Sequence, residues 1–208
     1  VDEEHRFGVM QRRLLGEKGE RLHMLSMTAT PIPRSLALTL YGDLDISTIA
    51  ELPAGRRRVR TRWVRPDQRI AVYNFIREQV KMGRQIFVVC PLIHESERLQ
   101  TRAALEERRH LSEQVFSDLR VGLLHGRMTL TEKLKAMESF RSFEMDILVS
   151  TPVIEVGVDI PNASVILIDG ADRFGLSELH QFRGRVGRGE HPSYCILMAD
   201  DPSRDAQE

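Results

Sequence analysis

The stretch VGLLHGRMTLTEKLKAMESFRSFEMDILVST, Val121 to Thr151, decides the fold. Two short apolar runs, Val121 to His125 and Ile147 to Thr151, flank a segment in which Leu134, Met137 and Phe140 recur at helical spacing. Thr129 and Glu132 stand at capping-box spacing where that helix should begin. An apolar strand, an amphipathic helix and a second apolar strand make a crossover unit, the connection that parallel strands require.

The same alternation extends in both directions. Further strands are expected at Arg60 to Val64, Gln85 to Pro91, Val165 to Asp169 and Tyr194 to Met198, and Val72, Phe75, Ile76, Gln79 and Val80 share one helical face. The predicted fold class is therefore α/β, a parallel sheet flanked by helices. Upstream, Arg6 to Gly19 reads as a polar helix, and Leu22 to Met27 as a short strand ending in Thr28, Ala29 and Thr30. Pro33 suits the first turn of a following helix, and Leu44 to Leu52 reads as another short strand. Pro53, Ala54 and Gly55, followed by an arginine cluster, mark a boundary between residues 1–60 and 61–208.

Of the 208 residues, 41% are hydrophobic and 29% charged, enough for one full domain and part of another. Thirty Lys and Arg balance 30 Asp and Glu, so a nucleic-acid surface has to be a local patch. The dense patch is Arg56, Arg57, Arg58, Arg60, Arg62 and Arg65, which reads equally as a solvated linker or as a phosphate-contacting strip. Cys90 and Cys195 both lie in apolar strands, which argues against a disulfide framework or metal site and for a reducing compartment. No apolar run is long enough to span a bilayer and no signal peptide is evident, so a cytoplasmic location is expected.

Two strings carry chemistry. Gln181 to Arg188 has the pattern Q-x-x-G-R-x-G-R. Arg185 and Arg188, three residues apart on a helical turn, could face one anion and supply fixed positive charge to a phosphoryl-transfer transition state. Asp2 and Glu3 are adjacent carboxylates in a D-E-x-H box ending at His5. Such a pair can hold hydrated Mg²⁺ through the first residue and activate water through the second. Between these ends, Thr151 has a hydroxyl for a phosphate, Gly157 admits close backbone approach and Asp159 can accept from a ribose; strand, glycine turn and cap describe the segment equally well. Gly126 and Arg127, after His125 at a strand end, could face a nucleic-acid backbone. A Walker phosphate loop of the form G-x-x-x-x-G-K-[ST] is absent from these residues.

Taken in order, these strings resemble the RecG branched-DNA helicases of bacteria. The resemblance runs through Asp2 to Val9, Met27 to Arg34, Tyr41 to Asp45, Cys90 to Ile93, Leu124 to Met128 and Val153 to Asp159. The transcription-repair translocase Mfd is similar in three of the strings, but Tyr41 to Leu44 and Cys90 to Ile93 look like RecG. The resemblance implies the end of a first RecA-like motor domain in residues 1–60 and a second RecA-like domain in 61–208. ATP and Mg would lie between them. Glu3, Arg185 and Arg188 would act in catalysis, with Asp2 on the metal through water. Asp2, Gly157, Asp159, Gln181, Arg185 and Arg188 would face the nucleotide, and Thr151, Gly126 and Arg127 the DNA. His5, Thr28 and Thr30 would couple the two. The implied partners are branched double-stranded DNA and the remainder of the same helicase chain, with no membrane and no required oligomer. The fragment alone is expected to be inactive for want of the phosphate loop. Mfd-type translocation and a non-catalytic RecA-like interaction module are the alternatives; a metabolic nucleotide-binding enzyme would show a glycine fingerprint that is missing here.

Overall fold

A computed structural model describes residues 25, 27, 28, 45, 47–49, 51, 58–90, 97–152 and 159–200, with Glu97 to Gln100 given by backbone alone. The chain separates into two compact units, Val1–Ala50 and Glu51–Glu208, and almost every described residue belongs to the second.

That unit is built on six parallel strands: β1 (Arg60–Val64), β2 (Gln85–Val89), β3 (Val121–Leu124), β4 (Ile147–Ser150), β5 (Ala163–Asp169) and β6 (Tyr194–Met198), in the spatial order β1-β6-β5-β2-β4-β3. The helices are α1 (Arg69–Lys81), α2 (Glu97–His110), α3 (Leu130–Arg141) and α4 (Leu176–Arg183). A π-turn, Leu111–Val115, prolongs α2.

Alternation along each central strand sorts side chains between two cores. Ile86 and Val88 of β2 with Cys90 just after it, Ile147 and Val149 of β4, and Val165 and Leu167 of β5 pack with Val72 and Ile76 of α1 and Ala104 of α2. Phe87, Val89, Leu148, Ile166 and Ile168 point the other way, onto Met137 and Phe140 of α3 and Phe182 of α4. Both faces of the sheet are thus covered, which is why its strands read as continuous apolar runs. At the start of β2 the buried Gln85 is satisfied by its amide, which donates to the carbonyls of Phe140 and, at 2.9 Å, Met145. Tyr73 meets Phe116 edge-on at a 5.3 Å centroid separation, and Phe174 meets Phe182 at 5.4 Å.

The sequence reading holds for all six strands, with ends moved by one or two residues. Thr129 and Glu132 form the expected capping box, Glu132 N donating to the Thr129 hydroxyl at 3.3 Å and Thr129 N to the Glu132 carboxylate at 2.7 Å. Two expectations fail. Leu134 is exposed and Ala136 takes its place in the buried face of α3, because the neighbouring core residues Met137 and Phe140 set the phase of the helix. Asp45, Ser47, Thr48 and Ile49, within the expected Leu44 to Leu52 strand, are not extended in any ladder, and Ile49 is exposed. Met27 forms only an isolated bridge; the Arg6 to Gly19 helix and the helix after Pro33 lie outside the described residues.

Phe140→Ala should cost about 3–5 kcal/mol in denaturant unfolding, and Leu134→Ala under about 1. Phe143, past the end of α3, is exposed at 52% and sits at φ 62°. Phe143→Gly should therefore raise stability by about 0.5–1 kcal/mol in the same assay, since a left-handed helix-end residue favours glycine.

Candidate functional site

Parallel pairing brings the carboxyl ends of all six strands to one edge, where Cys90, His125, Thr151 and Asp169 lie at or just past the ends of β2, β3, β4 and β5. Thr151 N donates to Leu124 O at 3.1 Å, so the end of β4 is tied to that of β3. His125 begins a tight turn closed by Met128 N donating to His125 O at 3.2 Å, and Arg127 is exposed on it. Thr151 is buried, not displayed, yet its hydroxyl and His125 Nδ1 both lack a hydrogen-bond partner among the described residues. Buried polar atoms are rarely left so, and these two stand at the strand edge where ligands bind in such sheets. Burial, ahead of the nearby Arg127 and Lys133 charges and against the pull of Glu132, lowers the His125 pKa and keeps the ring neutral.

The arginine string straddles a helix end. Gln181 is in the last turn of α4, Gly184 caps it and Arg185 N donates to Phe182 O at 2.9 Å. Gly187 then takes φ 83°, a left-handed conformation that glycine adopts without strain and that cannot continue the helix. Arg185 and Arg188 consequently do not share one helical turn, contrary to the spacing argument. Arg188 is held separately: its Nε donates to Gly184 O at 3.1 Å and its Nη1 to Asp159 Oδ1 at 3.3 Å. Next to it, Gly189 lies so close to Pro161 that a Cβ there would be 2.2 Å from the Pro161 carbonyl oxygen. Ile160, Phe182 and Val186 belong to one buried core cluster, so both partners of the Arg188 pair are seated on the same support. Beside Gln181, Arg183 donates to His180 Nδ1 at 2.9 Å; burial first and the Arg183 charge second lower the His180 pKa.

A second charge cluster escaped the sequence reading. Arg69, at the start of α1, makes a bidentate pair with Asp169 at the end of β5, Nη1 to Oδ2 at 3.0 Å and Nη2 to Oδ1 at 2.9 Å, and also donates to the Tyr73 hydroxyl at 3.2 Å. Burial opposes the Arg69 charge, but these hydrogen bonds prevail and raise its pKa. Asp169 also accepts from Gly170 N at 3.1 Å, fixing the left-handed turn that leads towards α4. Glu107, on α2, has its pKa raised, by burial first and then by Asp169. The sequence signal was present but faint: an acidic residue followed by glycine at a strand end, and Arg69 and Tyr73 at i, i+4. Burial pushes the Cys195 thiol up to about 12 and Cys90 well above its usual value, so neither is a reactive thiol.

Of the residues singled out from sequence, Thr151, Gly126 and Arg127 gather at the β3 and β4 ends, while Asp159, Arg185, Arg188 and Gln181 gather around the end of α4. Asp2, Glu3, His5, Thr30 and Gly157 lie outside the described residues, and Thr28 is described in the other unit. Among the described residues, no cluster of three or more His, Cys, Asp or Glu could hold a metal, and no helix is long and apolar enough to cross a membrane.

Residues 68–190 match the family model described as the helicase conserved C-terminal domain. The chain is 53% identical over 208 residues to the ATP-dependent DNA helicase RecG of Synechocystis sp., covering 25% of that protein. It is 50% identical to RecG of Bacillus subtilis, again along the whole chain, covering 30% of that relative. A solved structure of RecG bound to a three-way DNA junction superposes with a TM-score of 0.73 at 45% identity, covering 99% of this chain and 26% of that one. A CRISPR-associated protein at 22% identity and a TM-score of 0.53, covering 77% of this chain and 19% of that one, shares the fold alone. The chain thus spans between a quarter and a third of the relatives it matches.

Glu107→Gln should raise the melting temperature at pH 7. A carboxyl whose folded pKa is raised above its unfolded value destabilises the fold while ionised, and that penalty fades as pH falls through the folded pKa. The gain should therefore vanish in scans below the ordinary carboxylate range.

Proposed function

The chain belongs to the helicase conserved C-terminal domain family, and from that premise we propose that it is the back portion of the motor of an ATP-dependent DNA helicase that remodels branched DNA in recombination and repair. On this reading residues 1–60 close a first RecA-like domain and 61–208 form the second, in a cytoplasmic protein. The observation that carries the reading is the pair of orphaned polar atoms, Thr151 Oγ1 and His125 Nδ1, beside exposed Arg127 at one strand edge. Hydroxyl, backbone amide and guanidinium together suit a phosphate oxygen and carry no sequence information, as a motor that steps along any DNA requires. The resemblance to RecG along the whole chain supports branched DNA as the substrate.

At the other end of the same segment, Gln181, Arg185 and Arg188 would face the nucleotide. Their guanidinium groups stay charged throughout and add positive potential where negative charge develops on the transferring phosphoryl group. Glu3 would take the proton of the attacking water, and Asp2 would hold Mg²⁺ through a water ligand. When bound, the metal neutralises phosphate charge. Gly157 and Asp159 would also face the nucleotide, and His5, Thr28 and Thr30 from the first domain would couple the DNA and nucleotide sites.

ATP hydrolysis by this chain, with and without forked DNA, should be silent, and an upstream-extended polypeptide carrying a phosphate loop should turn over with DNA stimulation. Turnover at a motor-like rate by this chain alone would overturn the account of its phosphate site. In the longer polypeptide, Arg185→Ala should lower kcat by about 10³ or more. Arg127→Ala should weaken DNA binding similarly across sequences and reduce the salt slope by about 1 in a titration of affinity against ionic strength.

A further inference from the structure

We propose that Asp169, gripped by Arg69, is a positioning residue for α4 and, through it, for Gln181 and Arg185. The proposal deepens the helicase reading above and rests on it. Gly170, which follows Asp169, sits at φ 61° and ψ 45°. Glycine populates positive and negative φ about equally, so a contact outside the backbone has to choose between them. The Asp169 carboxylate does so by accepting from Gly170 N at 3.1 Å. It is held in turn by both Nη groups of Arg69, at 3.0 and 2.9 Å, and a two-point fork fixes the plane of a carboxylate as well as its place. Arg69 is braced on its own helix by the Tyr73 hydroxyl at 3.2 Å, and the Tyr73 ring stands edge-on to the buried Phe116.

From Gly170 onward the turns are tied in series. Arg173 N donates to Gly170 O at 3.0 Å, Phe174 N to Ala171 O at 3.3 Å, and Gly175 N to the Glu178 carboxylate, in the first turn of α4, at 3.0 Å. Ala171, Phe174, Phe182 and Val186 also bury apolar groups in the core beneath. Those contacts hold the segment against the sheet, but they are non-directional and resist tilt only weakly. The directional restraint sits at the Asp169 end. A helix of eight residues is about 12 Å long, so a tilt of about 5° at its start displaces its far end by about 1 Å. A displacement of that size at a reacting group can cost about 10²-fold in rate. Gln181 is in the last turn of α4 and Arg185 is just past it, so both ride on the far end of this lever. The Arg69 side chain is 33% exposed, and a pair so placed adds little to global stability. Orientation is the effect left for it.

The test uses the ATP-hydrolysing, upstream-extended helicase chain, with each variant assayed well below its melting temperature. Asp169→Asn keeps an acceptor for Gly170 N and loses half of the fork to Arg69. It should lower kcat by about 10-fold and leave KM for ATP and DNA affinity within about 2-fold. Arg69→Lys, which keeps the charge and loses the fork, should do the same, and it serves alone should the first variant not fold. The double variant should be no worse than the more damaging single change, because both remove one device. Asp169→Glu, which keeps a carboxylate for the fork, should recover most of the rate. A crystal structure of Asp169→Asn should show α4 tilted and the Arg185 guanidinium displaced by about 1 Å or more. Full kcat in both single variants, a loss confined to KM or DNA affinity, additive losses in the double variant, or an α4 that keeps its wild-type pose would each overturn the assignment. Failure of the helicase reading itself looks different, since the extended wild-type chain would then not hydrolyse ATP, or Arg185→Ala would leave its rate intact. The crystal structure judges the positioning role in either event.

Discussion

Burial of the central strands on both faces is the constraint on which the rest of the structure depends. β2, β4 and β5 carry no polar side chain that could be solvated from either side along most of their length, and their backbone groups are paired in parallel ladders. Charge cannot enter such a layer without a large desolvation cost. The chemistry-bearing residues are thereby confined to the strand ends, and parallel pairing collects those ends at one edge. His125, Arg127, Thr151 and Asp169 lie along that edge as a consequence, although they are up to 44 positions apart in the chain.

The edge is organised by pairs between elements. Asp169 binds Arg69 of α1 and the amide of Gly170, so the strand end, the first turn of one helix and the approach to another are fixed by one carboxylate. Asp159 pairs with Arg188 beyond the C-terminal end of α4. Neither pair is deep enough to dominate stability. Their effect is geometric: they hold Arg69 and Arg188 against carboxylates of other segments.

The legibility of the fold follows from the same physics. Apolar runs such as Ile147 to Ser150 announce buried strands because both faces are covered, and the Thr129–Glu132 box marked the start of α3 to the residue. The phase of α3 was harder to read. Leu134 and Ala136 are both acceptable on a buried face, and only the packing of Met137 and Phe140 against Phe87 and Leu148 chooses between them. The Leu44 to Leu52 strand misled because a short apolar run carries no information about what it pairs with.

For the site, the residue types and their order along the chain were determined by sequence: the arginine string, Thr151, Asp159 and the His125 turn. What the tertiary structure decided was which atoms meet. The i, i+3 spacing suggested that Arg185 and Arg188 share one helical turn, but the helix ends at Arg183, Gly187 takes a positive φ, and Arg188 pairs with a carboxylate 29 residues earlier. Arg69 finds its partner 100 residues away. Local periodicity fixes φ, ψ and the face of an element, which are short-range properties of the chain; ion pairs and orphaned hydroxyls depend on the register of strands brought together only by the collapse of the two cores, and no window of sequence contains that information.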